Sequence, residues 1–303
     1  MKRVAGLVFL LAVGCDSARA KELDAPVTAQ IAPPKAVVSA APAKSAVPAA
    51  SQQEKPEALL EGCPSEMARV GKACVDRWEA HLLEPGGGVH EHATRPEEGV
   101  GYRAASSVGV YPQAYISKLE ARSACEAAGK RLCSVNEWYR ACRDKAGHVY
   151  PYGARFDRAQ CNISKPHLLS KLFGRDPRRW KFAEHFNAPE LDRTPGFLAK
   201  TGEYAGCSSD WGTHDMVGNL HEWVSDFVDH DLEKKIPLRD DIRDKIDINR
   251  GHSIFMGGFF STTEEHGRGC QFLTPGHGAK YHDYSTGFRC CKDATKASDA
   301  RAR

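Results

Sequence analysis

The sequence predicts one irregular, loop-rich domain that is stabilised by disulfides and contains few long helices. Ten of the eleven cysteines lie between residues 63 and 291, and an even number in such a stretch is typical of a disulfide framework. The 27 glycines and the aromatic residues are spread among short segments. About 235 residues follow the N-terminal region, which is enough for one large domain.

Nothing in the charge pattern indicates a nucleic-acid-binding protein, and we expect no nucleic-acid partner. The net charge is only +3, and the one arginine cluster, at residues 175–179, is short and interrupted by Asp176 and Pro177. No P-loop, dinucleotide-binding or G-x-S-x-G motif is present. Residues 230–250 alternate in charge, and this pattern predicts a solvated surface insertion.

Residues 1–15 are predicted to be an export signal. Two cations, Lys2 and Arg3, precede an apolar run of ten residues from Val4 to Val13, which is too short to span a bilayer. The run ends before Cys15, and the local sequence resembles a bacterial lipobox, in which the cysteine is acylated and becomes the mature N-terminus. The alternative is ordinary signal cleavage after Ala20. We therefore expect a membrane-anchored lipoprotein of the cell envelope, with its domain in an oxidising periplasmic or extracellular space.

Two segments of low complexity flank the domain. Residues 16–58 are rich in Ala, Pro, Lys, Val and Ser, a composition that cannot bury enough apolar surface to offset the entropy of ordering the chain. We predict a disordered linker there, a folded domain at 59–292 and a disordered tail at 293–303.

Two helices begin at capping boxes. Ser117 and Glu120 form the first S-x-x-E pattern, and Ser134 and Glu137 form the second. Gly129 supplies the end of the first helix. Cys125 and Cys142 lie on the apolar faces of these helices, and buried cysteines in an exported protein favour disulfides over reactive thiols.

Three segments carry a family resemblance. Residues 128–143 read A-G-K-R-L-C-S-V-N-E-W-Y-R-A-C-R, residues 214–226 read H-D-M-V-G-N-L-H-E-W-V-S-D, and a third segment runs from G-G at 257–258 to G-F-R-C-C at 287–291. In this order and spacing they resemble the formylglycine-generating enzyme family, also called sulfatase-modifying factors. The resemblance implies an irregular α+β fold related to C-type lectins, with little regular secondary structure.

The resemblance also implies disulfides. Family members join the helix before G-K-R to the cysteine of G-F-R-C, and the E-W helix to a cysteine upstream of G-F-R. Carried over, these pairs are Cys125–Cys290 and Cys142–Cys270. For the other six cysteines we hypothesise three further pairs. Cys63–Cys74 would close a local loop, and Cys133 would pair with Cys291 because both are additions to family motifs. Cys161–Cys207 is the pair that remains.

A structural calcium ion is the cofactor that the resemblance implies. The matching ligand positions in the D-x-x-G-N turn are Asp215, Gly218, Leu220 and Glu222, and such hard oxygen ligands suit calcium. The alternative is a turn held only by side-chain hydrogen bonds. A second family calcium site begins at Asn162 and Ile163, with Asp176 as a further candidate ligand.

The catalytic pair of the family is missing. The enzyme oxidises a substrate cysteine to formylglycine, using two cysteines that bind copper(I). Counting back from Cys270 gives Phe260 and Glu265 at those positions, and residues 259–269 contain no cysteine. Copper is therefore not expected. The residues expected to line the corresponding groove are His221, Phe259, Glu264, Glu265 and His266.

These residues leave three hypotheses for function. We expect a non-catalytic domain that binds a peptide, a glycan or an envelope protein. The first alternative is an oxidoreductase of the formylglycine-generating type with a rearranged site, in which Glu264, Glu265, His266, His277 and His282 supply metal ligands or acid–base groups. The second is a purely structural envelope module. The cluster His90-Glu91-His92 is by itself weak evidence for a metal or acid–base site.

Overall fold

The computed structural model describes residues 62–263 and 267–295. The predicted export signal, Cys15 and the whole predicted linker therefore lie outside the described residues, as do Glu264, Glu265, His266 and residues 296–303. None of the described helices combines the length and apolar character that a membrane span requires.

Short strands and helices alternate along the described chain. The strands are β1 (Met67–Val70), β2 (Ala73–Asp76), β3 (Ala80–Leu83), β4 (Arg103–Ser106), β5 (Arg131–Leu132), β6 (His221–Phe227), β7 (Ser253–Met256), β8 (Leu273–His277), β9 (Thr286–Phe288) and β10 (Cys290–Asp293). The α-helices are α1 (Lys118–Ala127), α2 (Val135–Cys142), α3 (Leu168–Phe173), α4 (Glu190–Arg193), α5 (Leu232–Lys235) and α6 (Asp240–Arg243). A π-helix spans Phe182–Phe186, and 3-10 turns span Pro177–Arg179 and Gly269–Gln271. The fold is the irregular, disulfide-rich α+β type that the sequence predicted.

Three small sheets organise the domain. One has the order β1-β2-β10-β5, the second pairs β3 with β4, and the third has the order β8-β7-β6-β9. All described pairings are antiparallel except β6 with β9. Because β9 and β10 are consecutive, the G-F-R segment joins the first sheet to the third.

Both predicted capping boxes form. The Ser117 hydroxyl accepts the Glu120 N–H while the Glu120 carboxylate accepts the Ser117 N–H, and Ser134 and Glu137 repeat the arrangement. Gly129, with φ of 67°, follows the end of α1 and adopts a backbone conformation that other residues rarely reach. Local sequence therefore determined where α1 and α2 begin and where α1 ends.

The five disulfides pair the cysteines as expected from the sequence. They are Cys63–Cys74, Cys125–Cys290, Cys133–Cys291, Cys142–Cys270 and Cys161–Cys207. Two of them tie α1 and the residue after β5 to the adjacent cysteines of β10, and a third ties the end of α2 to the Gly269–Gln271 turn. Five bridges are typical of an oxidising, extracellular-type space.

The C-terminal end of the domain differs from the prediction. Strand β10 continues to Asp293, and the Thr295 N–H donates to the Gly62 carbonyl at 3.1 Å. The domain therefore extends three residues beyond the predicted end at 292, because the last residues pair with its first ones.

The charged segment at 230–250 is also more than a solvated insertion. Five of its apolar side chains are buried in the core cluster that contains Trp138, while its charges face outward; the five are Leu232, Ile236, Leu238, Ile242 and Ile246. These residues recur every two to four positions, so one face of the segment packs against the core.

Candidate functional site

An open groove of about 430 Å³ lies beside the third sheet. Its lining includes His221 of β6, Phe255 of β7 and His277 of β8, together with Phe259 from the loop that follows Gly257-Gly258. This volume falls within the usual range for pockets that bind small molecules or side chains. The groove is thus formed where the second and third sequence motifs meet.

Aromatic rings form the floor of the groove. The His221 ring centroid lies 4.4 Å from that of Phe255, 5.1 Å from Phe259 and 5.4 Å from Phe272. The structure therefore brings together the two described residues of the predicted groove, His221 and Phe259. Such a floor binds apolar and aromatic groups by stacking and burial.

A polar wall faces this floor. The Tyr281 hydroxyl donates to Asp283 Oδ2 at 2.5 Å, and Asp283 Oδ1 accepts both the N–H and the hydroxyl of Ser285. Burial raises the pKa of Asp283 and lowers the pKa of His277, whose ring lies 3.9 Å from the Tyr281 ring. The carboxyl group is occupied by three donors, so it orders the wall rather than offering a free base.

The position aligned with a catalytic cysteine is apolar. Phe260 is fully buried, packs edge-on against Phe197 at 5.7 Å, and donates its N–H to the Asn219 carbonyl at 3.0 Å. Every cysteine between residues 62 and 295 is in a disulfide, and the three residues outside the description there are Glu264, Glu265 and His266. The groove therefore has no thiol.

Below the groove, buried charges hold the D-x-x-G-N turn. Arg289 pairs with Glu222 through two hydrogen bonds, Nε to Oε2 at 2.6 Å and NH2 to Oε1 at 2.7 Å. The Trp138 indole N–H also donates to Glu222 Oε2 at 2.7 Å. Glu79 accepts the Leu220 N–H at 3.0 Å and a side-chain N–H of Asn219. The carboxylate oxygens of Glu222 and Glu79 thus accept hydrogen bonds from donors of the protein itself.

Asp215 differs from these two carboxylates. Its Oδ2 accepts the Gly202 N–H at 2.7 Å, and burial raises its pKa to about 7, with the charge of Glu222 acting in the same direction. Three buried carboxyl groups surround one guanidinium, that of Arg289; they belong to Glu79, Asp215 and Glu222. Of the predicted calcium ligands, Glu222 is engaged by Arg289 and Trp138, whereas Asp215 accepts a hydrogen bond from Gly202.

The candidates for a second calcium site lie in different surroundings. Asn162 is buried and donates its side-chain N–H groups to the Phe197 carbonyl and to Asn219 Oδ1, both at 2.8 Å. Ile163 packs into the core, whereas Asp176 pairs with Arg178 at the surface. Gly218 lies against the Asn162 carbonyl so closely that a Cβ would clash with it, which explains the glycine of the turn.

The remaining sequence candidates that the structure describes do not form a metal centre. His90 contacts Glu84 and the Thr94 carbonyl, while His92 stacks on Tyr111 at 4.5 Å. His282 packs edge-on against Phe182 rather than joining His277. Across residues 62–263 and 267–295, no group of three His, Cys, Asp or Glu side chains is placed to hold a metal ion.

Several residues of the site carried no sequence signal that we recognised. Glu79 stands outside the three motifs, and its role depends on a contact across the fold; Tyr281 and Asp283 lie between the Gly-Gly and G-F-R ends of the third segment. Arg289 stands within the G-F-R motif, but its pairing with Glu222 was not predicted from the sequence.

Comparisons with known proteins agree on the family. The model of the "Sulfatase-modifying factor enzyme 1-like domain" matches residues 67–294. Over 116 residues the chain is 28% identical to the "Inactive C-alpha-formylglycine-generating enzyme 2" of Bos taurus, which covers 38% of this chain and 33% of that protein. The chain therefore spans about a third of the length of this curated relative.

Solved structures show weaker likenesses. PvdO from Pseudomonas aeruginosa is 13% identical with a TM-score of 0.42, over 73% of this chain and 80% of that one. CarF is 11% identical with a TM-score of 0.40, over 78% and 95%. The family model covers most of the chain, so the chain belongs to the family of sulfatase-modifying factor enzyme 1-like domains.

Proposed function

We propose that this protein is a non-catalytic, peptide-binding member of its family, exported and anchored to the membrane through an acylated Cys15. The observation that carries the proposal is a groove with an aromatic floor and no thiol. Phe260 stands where the family's enzymes place a cysteine, and it is fully buried.

The chemistry of the site supports the loss of catalysis. Copper(I) is a soft ion that binds thiolates, and a disulfide sulfur is neither a thiolate nor a nucleophile. Here the cysteines of the third motif, Cys270, Cys290 and Cys291, are all in bridges. The name of the bovine relative describes that protein as inactive.

The shape and lining of the groove support a peptide ligand. Phe255, Phe259 and Phe272 offer an apolar floor, and Thr274 and Ser285 add hydroxyl groups along the walls. Apolar floors with a few polar groups bind side chains by burial and fix the backbone by hydrogen bonds. An extended segment of an envelope protein fits this arrangement.

Two further proposals concern the anchor and the cofactor. Acylation of Cys15 would hold the domain at the membrane, and the Cys15→Ser variant should then appear in the soluble fraction. The calcium ion implied by the turn would serve structure, with Asp215 as a ligand. It takes no part in binding the peptide.

An oxidation assay tests the loss of catalysis. The full chain is incubated with copper(I), oxygen and cysteine-containing peptides, beside an active formylglycine-generating enzyme as a positive control. We expect unchanged peptide cysteines by mass spectrometry. Conversion to formylglycine would establish the enzyme with a rearranged site and overturn the proposal.

Site-specific cross-linking tests the binding. A photoreactive residue replaces Thr274 in the groove or, as a control, Ile248, which is 78% exposed in the charged segment. Envelope extract should give specific adducts from the groove position only. Equal adducts from both positions, or none from either, would favour the purely structural module.

A further inference from the structure

The segment at residues 165–181 concentrates positive charge. It holds six Lys and Arg residues and one acidic residue, whereas the whole chain has a net charge of only +3. Its positive excess therefore exceeds that of the entire protein. We call this segment the basic rim; its cations are Lys165, Lys171, Arg175, Arg178, Arg179 and Lys181.

Aromatic contacts hold the basic rim against the groove. The Trp180 ring stacks on His167, which lines the groove, with a centroid distance of 5.2 Å and an interplanar angle of 7°. Trp180 also packs edge-on against Phe186, another lining residue, at 6.2 Å. Phe182 lies 5.4 Å from Tyr281 on the polar wall. The chain around Trp180 thus forms one edge of the groove.

Two arginines of the basic rim are free to meet a ligand. Arg178 pairs with Asp176 at 2.9 Å, and Lys181 pairs with Glu184 at 2.8 Å. Arg175 and Arg179 are exposed and form no ion pair with any described residue. Arg179 immediately precedes Trp180, and Arg175 follows Gly174, whose carbonyl accepts the Trp180 indole N–H at 3.0 Å. Both cations therefore stand beside the anchored ring.

We propose that the groove is selective for acidic peptides: an apolar side chain occupies the aromatic floor, and neighbouring carboxylates meet Arg175 and Arg179. This inference rests on the proposed peptide-binding function and assigns its ligand class. Opposite charges at the edge of a binding site steer the encounter and fix the register of the ligand.

The same geometry favours a peptide over an anionic lipid surface. Membrane-binding segments turn their aromatic side chains outward into the headgroup region. Here the Trp180 ring lies against His167 and its N–H is bonded to Gly174. Phe182 is 44% exposed, and its ring packs against that of Tyr281. Trp180 and Phe182 thus pack against residues that line the groove, and Arg175 and Arg179 are exposed.

Selection from a random peptide library displayed without any cell extract tests this inference. The full chain should enrich peptides with an aromatic or aliphatic residue followed by Asp or Glu. The R175E/R179E double variant should lose this enrichment and weaken binding of a selected peptide about tenfold at low salt. The control is R103E on β4, an exposed arginine outside the groove and the basic rim, and it should bind as the parent protein does.

The outcomes separate this inference from the proposed function. Enrichment of neutral or basic peptides in the groove would overturn the charge selectivity and leave peptide binding intact. Enrichment of no peptide would overturn the proposed function itself. Binding of the parent, but not of R175E/R179E, to phosphatidylglycerol vesicles without binding to acidic peptides would replace the peptide by a lipid surface.

Discussion

Arg289 and Glu222 form a fully buried ion pair at the junction of the first and third sheets. Their side chains are 0% and 1% exposed, and the guanidinium forms a fork with both carboxylate oxygens. Arg289 also donates to the carbonyls of Asp76 and His214. One side chain therefore ties the end of β2, the D-x-x-G-N turn and β6 together.

Removing this guanidinium should destabilise the domain strongly. The Arg289→Met variant leaves Glu222, Glu79 and Asp215 buried without their cation, and breaking such a pair costs about 3–5 kcal/mol. Urea denaturation measures the change in the free energy of unfolding. The control is Arg178→Met, which removes an exposed pair with Asp176 and should leave stability unchanged. Equal effects of the two variants would contradict a structural role for the buried pair.

The disulfides should differ in their contribution according to the loop that each closes. Cys161–Cys207 spans 46 residues, whereas Cys63–Cys74 spans 11. Chain entropy predicts a loss of about 4 kcal/mol for the double alanine variant of the first pair and about 3 kcal/mol for that of the second. Thermal unfolding of the two variants under the same conditions measures the difference. The reverse order would show that strain or residual structure outweighs loop entropy.

Structural features that depend on residues close together in the sequence could be predicted from it. Helices α1 and α2 follow from Ser117 and Ser134 because a capping box is complete within four residues. The fold and two disulfides followed from the order of the three motifs. Physical reasoning supplied the helix starts, and family resemblance supplied the long-range pairs such as Cys125–Cys290.

Features that depend on distant segments could not be predicted. Glu79 bonds to Asn219, which is 140 residues away, and no local pattern distinguishes it from a surface acid. The charged segment around Ile242 looked fully solvated because its charges outnumber the apolar residues that pack on the core. The sequence did not show that the basic rim lies beside the groove; the stacking of Trp180 on His167 shows it.

The stability of the domain should fall as pH rises from about 4 to about 7 in the presence of EDTA. Burial raises the pKa of Asp215 from 3.8 to about 7. Between these values the folded state keeps a proton that the unfolded state has lost, so folding is favoured at the acidic end. The Asp215→Asn variant should show a flatter profile, and asparagine tolerates the φ of 59° found there. Denaturation midpoints at several pH values provide the measurement, and a rise in stability across this window would contradict the prediction.

Calcium should reverse this loss at pH 8 if Asp215 is a ligand. The ion binds the ionised carboxylate and offsets the buried excess of acidic groups around Glu79 and Glu222. At a calcium concentration about 100 times the Kd, the folded state should gain about 2.7 kcal/mol, measured as a shift of the unfolding transition relative to EDTA. The Asp215→Asn variant should lose most of this gain. The control is Asp210→Asn, an exposed acid five residues earlier, which should keep it. An equal gain in both variants would place calcium elsewhere, and no gain in the parent protein would show that side-chain hydrogen bonds alone hold the turn.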